Sequence, residues 1–100
     1  MKVYVIYDVH EEFESTRNRL RERLKDFGGV FLEYSVYVAD LNPRDLSRML
    51  KMIRRVIKGS KARVDIVIPC LRCLDRVRII GISEVGESPH RMRGDLRDIL

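Results

Sequence analysis

Val3-Tyr4-Val5-Ile6-Tyr7-Asp8 is the stretch on which the reading of the chain turns. Five consecutive β-branched or aromatic residues run into a single carboxylate. In a strand, successive side chains alternate between faces. Val3, Val5 and Tyr7 therefore share one face, and Tyr4, Ile6 and Asp8 the other. Both faces are apolar, which is the signature of a strand covered on both sides in the middle of a sheet. The strand delivers Asp8 to its end, beside His10, Glu11 and Glu12.

Downstream, residues 11–27 read as a helix whose Phe13, Leu20, Leu24 and Phe27 form one narrow stripe. Arg17 and Arg21 flank the stripe on one side, Arg19 and Arg23 on the other. Gly28-Gly29 supplies the stop, because glycine accepts the left-handed conformation at a helix end. Residues 30–41 have strand character throughout and contain no glycine, proline or asparagine to make a turn. They form either one unusually long strand or two strands divided near Glu33-Tyr34-Ser35. Asn42-Pro43 then opens a second helix, asparagine as its cap and proline at the first position. Its apolar face is Leu46, Met49, Leu50, Ile53, Val56 and Ile57. The opposite face is a basic row of Arg44, Arg48, Lys51, Arg55 and Lys58, with no acid inside it after Asp45. Residues 62–68 form a further strand, residues 69–73 a loop, and residues 77–82 a last strand.

With the long segment divided, the order is βαββαβ plus an additional C-terminal strand. This is the ferredoxin-like α+β arrangement, with both helices on one face of an antiparallel sheet. Residues 1–82 then form the domain, and residues 83–100 a polar tail with a short helix beginning near Ser88-Pro89. The second apolar face has no element left to cover it, so a second copy packed through that face is expected.

At 100 residues the chain is one domain, and at 45% hydrophobic and 35% charged residues it is a globular one. The net charge of +5 and a pI near 9.6 favour an anionic partner, nucleic acid first. No apolar run approaches the roughly 20 residues a membrane span requires, and the first apolar segment is no signal peptide. Cys70 and Cys73 are too few for a disulfide framework. A cytoplasmic location is expected.

Asp8 is the leading candidate for chemistry. If two copies meet near the strand end, two Asp8 carboxylates approach, and a hard divalent cation such as Mg²⁺ relieves their repulsion. Such an ion generates hydroxide and stabilises a phosphodiester transition state. His10, two residues from Asp8, could serve as a base or further ligand but reads first as a surface histidine, and His90 lies in the tail without a signal. Cys70-Leu-Arg-Cys73 has the spacing of a zinc half-site, but a structural zinc needs four ligands. Because the pair precedes a strand rather than starting a helix, it reads as buried or loop thiols first and a strained disulfide second. Tyr4, Tyr7, Phe31, Tyr34 and Tyr37 lie on strands, as the stacking rings of RNA binders do. The RNP pattern of those binders is lacking, so most of these rings read as core or interface.

Tyr7-Asp8, the run Arg17-Asn18-Arg19-Leu20, residues 32–37 (Leu-Glu-Tyr-Ser-Val-Tyr) followed by Asp40-Leu41, and Pro69-Cys70 with Cys73-Leu74 form an ordered combination. Together they resemble the small CRISPR-associated adaptation protein family, CRISPR-associated protein 2, over residues 3–82. Two departures stand out: Glu33 occupies a usual glutamine position, and two extra residues separate Asp8 from Arg17. The resemblance implies a ferredoxin-like homodimer with a divalent ion between the two Asp8 side chains. It implies a metal-dependent endonuclease acting on single-stranded RNA or duplex DNA, with Tyr7, Arg17, Arg19 and Tyr37 as accessory catalytic positions. The other role it implies is a non-catalytic DNA-binding bridge that captures spacer DNA with the integrase. Duplex backbone contacts would then come from Arg17, Arg19, Arg44, Arg48, Lys51 and Arg55.

Overall fold

The computed structural model describes residues 1–78 and 80. The opening stretch forms β1 (Lys2–Val9), and two short 3-10 turns, Glu11–Phe13 and Lys25–Phe27, frame α1 (Glu14–Leu24). Gly28 ends this segment at φ 77°, the left-handed geometry expected of it. Gly29 is required for a different reason. A Cβ there would lie 2.7 Å from the Tyr37 ring and would run into the Val38 carbonyl.

Residues 30–41 divide into β2 (Val30–Glu33) and β3 (Val36–Asp40), joined at Tyr34-Ser35, with a register shift between Phe31 and Glu33. Chain bending at that irregularity makes the turn without glycine, proline or asparagine. Asn42 caps α2 (Pro43–Ile57), its side-chain oxygen accepting from the Asp45 amide at 2.8 Å. Gly59, at φ 82°, turns the chain toward β4 (Ala62–Val67). The strand order is β2-β3-β1-β4 with every pairing antiparallel, so the fold is ferredoxin-like and β1 is central.

Register decides which side chains share a face, because directly paired residues point the same way. Val3, Val5, Tyr7 and Val9 pair with or alternate beside Tyr37, Ala39, Val64 and Ile66. This side packs against Leu20 and Leu24 of α1 and Met49, Ile53 and Val56 of α2. Both helices therefore cover one face. On the other face Tyr4, Ile6 and Asp8 lie opposite Val38, Val36, Val67, Asp65 and Arg63. Ile6 remains 41% and Val67 46% exposed there.

Residues 1–68 form one compact unit, and a second begins at Pro69. Within the second, Leu71–Leu74 form a one-turn helix, α3, where a loop was expected. The reason is local: Cys70 acts as its cap, and the Leu74 amide closes the turn on the Cys70 carbonyl at 2.8 Å. Val77, Arg78 and Ile80 belong to no strand. The rest of the expected last strand, the domain boundary at residue 82 and the tail helix lie outside the described residues. Among the described residues, no helix is long and apolar enough to cross a membrane.

Candidate functional site

Asp8 is the penultimate residue of β1, and its side chain is exposed on the face away from the helices. Arg63 is its partner across β4, yet the Arg63 guanidinium is 3.2 Å from the Asp65 carboxylate, two residues along the same strand. Asp65 thus draws off the cross-strand cation, and among the described residues Asp8 has neither ion pair nor hydrogen bond through its carboxylate. An unpaired carboxylate is a hard oxygen donor suited to Mg²⁺. Among the described residues, no group of three or more His, Cys, Asp or Glu side chains could hold a metal within one chain. With no such cluster, an ion at Asp8 would draw on water, main-chain carbonyls or groups of a second copy to complete its coordination. His10 contributes structurally: its Nδ1 accepts from the Glu12 amide at 3.3 Å and caps the turn after β1.

Alternation along β1 sends Tyr7 to the side opposite Asp8. Tyr7 is 2% exposed, and its hydroxyl donates to the Tyr34 carbonyl at 2.8 Å. Burial pushes its phenol pKa above the ordinary value, with the Arg21 guanidinium acting in the opposite direction. Tyr37 is fully buried, and its hydroxyl accepts from the Gly29 amide at 2.8 Å. Burial raises its pKa as well. Neither phenol lies on the face that carries Asp8, and both hydroxyls are bonded to main chain.

The Tyr34 carbonyl takes a second donor, the Arg21 guanidinium at 2.6 Å. That guanidinium lies 3.9 Å above the Phe31 ring and 4.7 Å from the Tyr34 ring centre, while Arg17 sits 5.7 Å from the latter. Helical spacing explains the pairing, since residues four apart on α1 reach the same neighbour. The sequence offered that spacing as its signal, but nothing in it named the β2–β3 turn as the target. The other α1 candidate, Arg19, points elsewhere and donates to the Val56 carbonyl of α2 at 3.1 Å. The basic row of α2 is fully formed: Arg44, Arg48, Lys51 and Arg55 are all exposed. Arg48 alone among these four has a described acid partner, Asp45 at 3.1 Å. The fold therefore brings Asp8, Arg17 and the β2–β3 turn to one end of the sheet, whereas the α2 row lies on the outer side of the helical layer.

Cys70 and Cys73 are both exposed free thiols at the start of α3, neither buried nor joined in a disulfide, and they begin a helical turn instead of preceding a strand. The Cys70 sulfur accepts from the Cys73 amide at 3.3 Å. That amide lowers the Cys70 pKa, and the neighbouring Cys70 sulfur raises that of Cys73.

Comparison with known proteins agrees with this architecture. The family model described as CRISPR associated protein Cas2 matches residues 1–79. A relative from Korarchaeum cryptofilum, named CRISPR-associated endoribonuclease Cas2, is 29% identical over 89 residues, covering 89% of this chain and 94% of its own length. One from Pyrobaculum aerophilum, named CRISPR-associated endoribonuclease Cas2 2, is 32% identical over 81 residues, covering 81% and 87%. The crystal structure of Streptococcus pyogenes Cas2 at pH 6.5 superposes with a TM-score of 0.69 at 19% identity. It covers 81% of this chain and all of that one, and the likeness is one of fold. The chain belongs to the CRISPR-associated Cas2 family.

Proposed function

We propose that this member of the Cas2 family is a metal-dependent endonuclease that hydrolyses phosphodiesters as a homodimer, with single-stranded RNA as the first substrate and duplex DNA as the second. It would work in the cytoplasm, in CRISPR adaptation. The observation that carries this reading is the exposed, unpaired Asp8 carboxylate at the end of an otherwise apolar strand. The names of the relatives, CRISPR-associated endoribonucleases, support it. A second copy covering the half-exposed Ile6 and Val67 face would bring a second Asp8 to the same strand end. The two carboxylates would then hold Mg²⁺ or another hard divalent cation, which when bound supplies an activated water and offsets phosphate charge. Asp65 keeps Arg63 from closing on Asp8. Arg17, at the same end of the sheet, orients the phosphate by charge-assisted hydrogen bonds. Tyr7 and Tyr37 act at one remove, by holding the β2–β3 segment in place.

The test is cleavage of single-stranded RNA and of duplex DNA by purified wild type and by Asp8→Asn, each with Mg²⁺ and with chelator. The reading requires that Asp8→Asn and chelator each abolish cleavage while the dimer persists. Equal activity in both proteins would refute it.

A second reading is favoured by the exposed basic row of α2. In it the dimer is a non-catalytic bridge that holds spacer DNA for the integrase adaptation protein, through phosphate contacts that ignore sequence. Charge reversal at Arg44, Arg48, Lys51 and Arg55 would then weaken duplex binding and flatten its salt dependence. Asp8→Asn would leave integration with the partner unchanged.

A further inference from the structure

Most aromatic residues of this chain are packed into the core, but Tyr34 is not. It occupies the β2–β3 turn with 56% of its surface exposed, among the largest values for an apolar or aromatic side chain in the unit formed by residues 1–68. Exposure usually brings mobility, yet here the main chain is fixed from two sides. The Tyr34 carbonyl accepts from the Tyr7 hydroxyl at 2.8 Å and from Arg21 at 2.6 Å, and the adjacent Ser35 carbonyl accepts from the Tyr7 amide at 3.0 Å. The ring is thus presented on a rigid support, on a turn hydrogen-bonded to Tyr7, the residue that precedes Asp8.

Its surroundings are cationic. Arg21 is wedged between the Phe31 and Tyr34 rings, and the Arg17 guanidinium lies 5.7 Å from the Tyr34 centroid. Arg17 carries a second, independent signal: its Nε is buried and has no acceptor among the described residues. The nearest acid, Glu14, touches the other end of the guanidinium at 4.0 Å. That Nε is covered by protein, but the side chain is 26% exposed overall, so an incoming oxygen would meet the terminal nitrogens of the guanidinium. The exposed ring supplies stacking surface, two guanidiniums supply charge, and the partly exposed Arg17 offers terminal N–H donors for an oxygen.

We infer that Tyr34 is a stacking platform for an unpaired nucleobase of a single-stranded nucleic acid, with Arg17 receiving the adjoining phosphate. Stacking on an aromatic side chain tolerates any base, because each has a π-face. A closed duplex hides those faces, so the platform selects single strands and sets the strand beside Asp8. The inference deepens the nuclease reading and rests on its nucleic-acid partner, but it concerns binding and is tested without cleavage.

The experiment measures binding of a short oligoribonucleotide carrying 2-aminopurine, in chelator, and of a hairpin-capped DNA duplex with no free ends. Wild type, Tyr34→Ala and Tyr34→Phe are compared, with thermal melting to verify folding. Tyr34→Ala should weaken single-strand binding by about tenfold or more and remove the stacking quench of 2-aminopurine. Tyr34→Phe should retain both, and affinity for the capped duplex should be the same in all three proteins. Unchanged single-strand affinity in Tyr34→Ala would overturn the inference, as would an equal loss on the capped duplex or a loss in Tyr34→Phe as large as in Tyr34→Ala. Wild type that stacks the oligonucleotide yet cuts nothing once Mg²⁺ is restored removes the nuclease reading and upholds the platform. Normal cutting by a Tyr34→Ala protein with unaltered single-strand affinity does the reverse.

Discussion

Replacing Tyr37 by phenylalanine separates a structural phenol from a catalytic one. The ring is fully buried, and its tilted contact with Phe31, 5.0 Å between centroids, survives the substitution. What disappears is the bond from the Gly29 amide at 2.8 Å. A net intramolecular hydrogen bond is worth about 0.5–1.5 kcal/mol, and a buried donor left unmet costs about 1–3 kcal/mol. Gly29 is half-buried, so water reaches its N–H in part and the loss falls toward the lower end, about 1–1.5 kcal/mol. For a domain of this size that lowers Tm by roughly 5–10 °C. Melting must be followed at fixed protein concentration, since the proposed dimerisation would raise apparent stability by mass action. Cleavage per folded molecule should stay within about twofold, a barrier change under roughly 0.5 kcal/mol. A Tyr37→Phe protein that melts like wild type but has lost cleavage would refute the argument, because the phenol would then be acting on substrate rather than on Gly29.

Alkaline pH probes the same buried phenols. Burial raises the pKa of Tyr37, Tyr7 and Tyr4 above the ordinary 10.0, so the unfolded chain releases these protons first and stability is lost as pH climbs above that value. Melting temperature should therefore fall steadily above pH 10, and less steeply in Tyr37→Phe; a parallel fall in both proteins would contradict the assignment. The two adjacent glycines should respond unequally. Gly28→Ala meets open space and costs only the left-handed strain of about 1–2 kcal/mol, whereas Gly29→Ala collides with Val38 and Tyr37 and should cost well over about 3 kcal/mol; equal denaturant midpoints would count against the close approach. Asn42→Ala removes the α2 cap and should cost about 1 kcal/mol in urea titration, with Asn42→Asp retaining most of it; an unchanged midpoint in Asn42→Ala would count against the cap.

Sequence alone determined what depends on short-range pattern. Alternation in residues 3–8 gave the central strand and its two faces, because side-chain direction in a strand follows position parity. The caps at Asn42 and the stop at Gly28 follow from hydrogen-bonding capacity and φ preference, which are properties of single residues. The exposed Asp8 and the α2 row were legible for the same reason. Tertiary structure decided everything that needs residues distant in sequence to meet. Whether residues 30–41 formed one strand or two depended on pairing with β1, and the break fell at Tyr34-Ser35. Only the packed fold withheld Arg63 from Asp8 and clamped the Tyr34 carbonyl with Tyr7 and Arg21. At Cys70 the decision was local instead: its sulfur and carbonyl accept from the Cys73 and Leu74 amides, a turn that residue propensity does not dictate. Pattern fixes which face a side chain points to, whereas the neighbour waiting there is set by the folding of the whole unit.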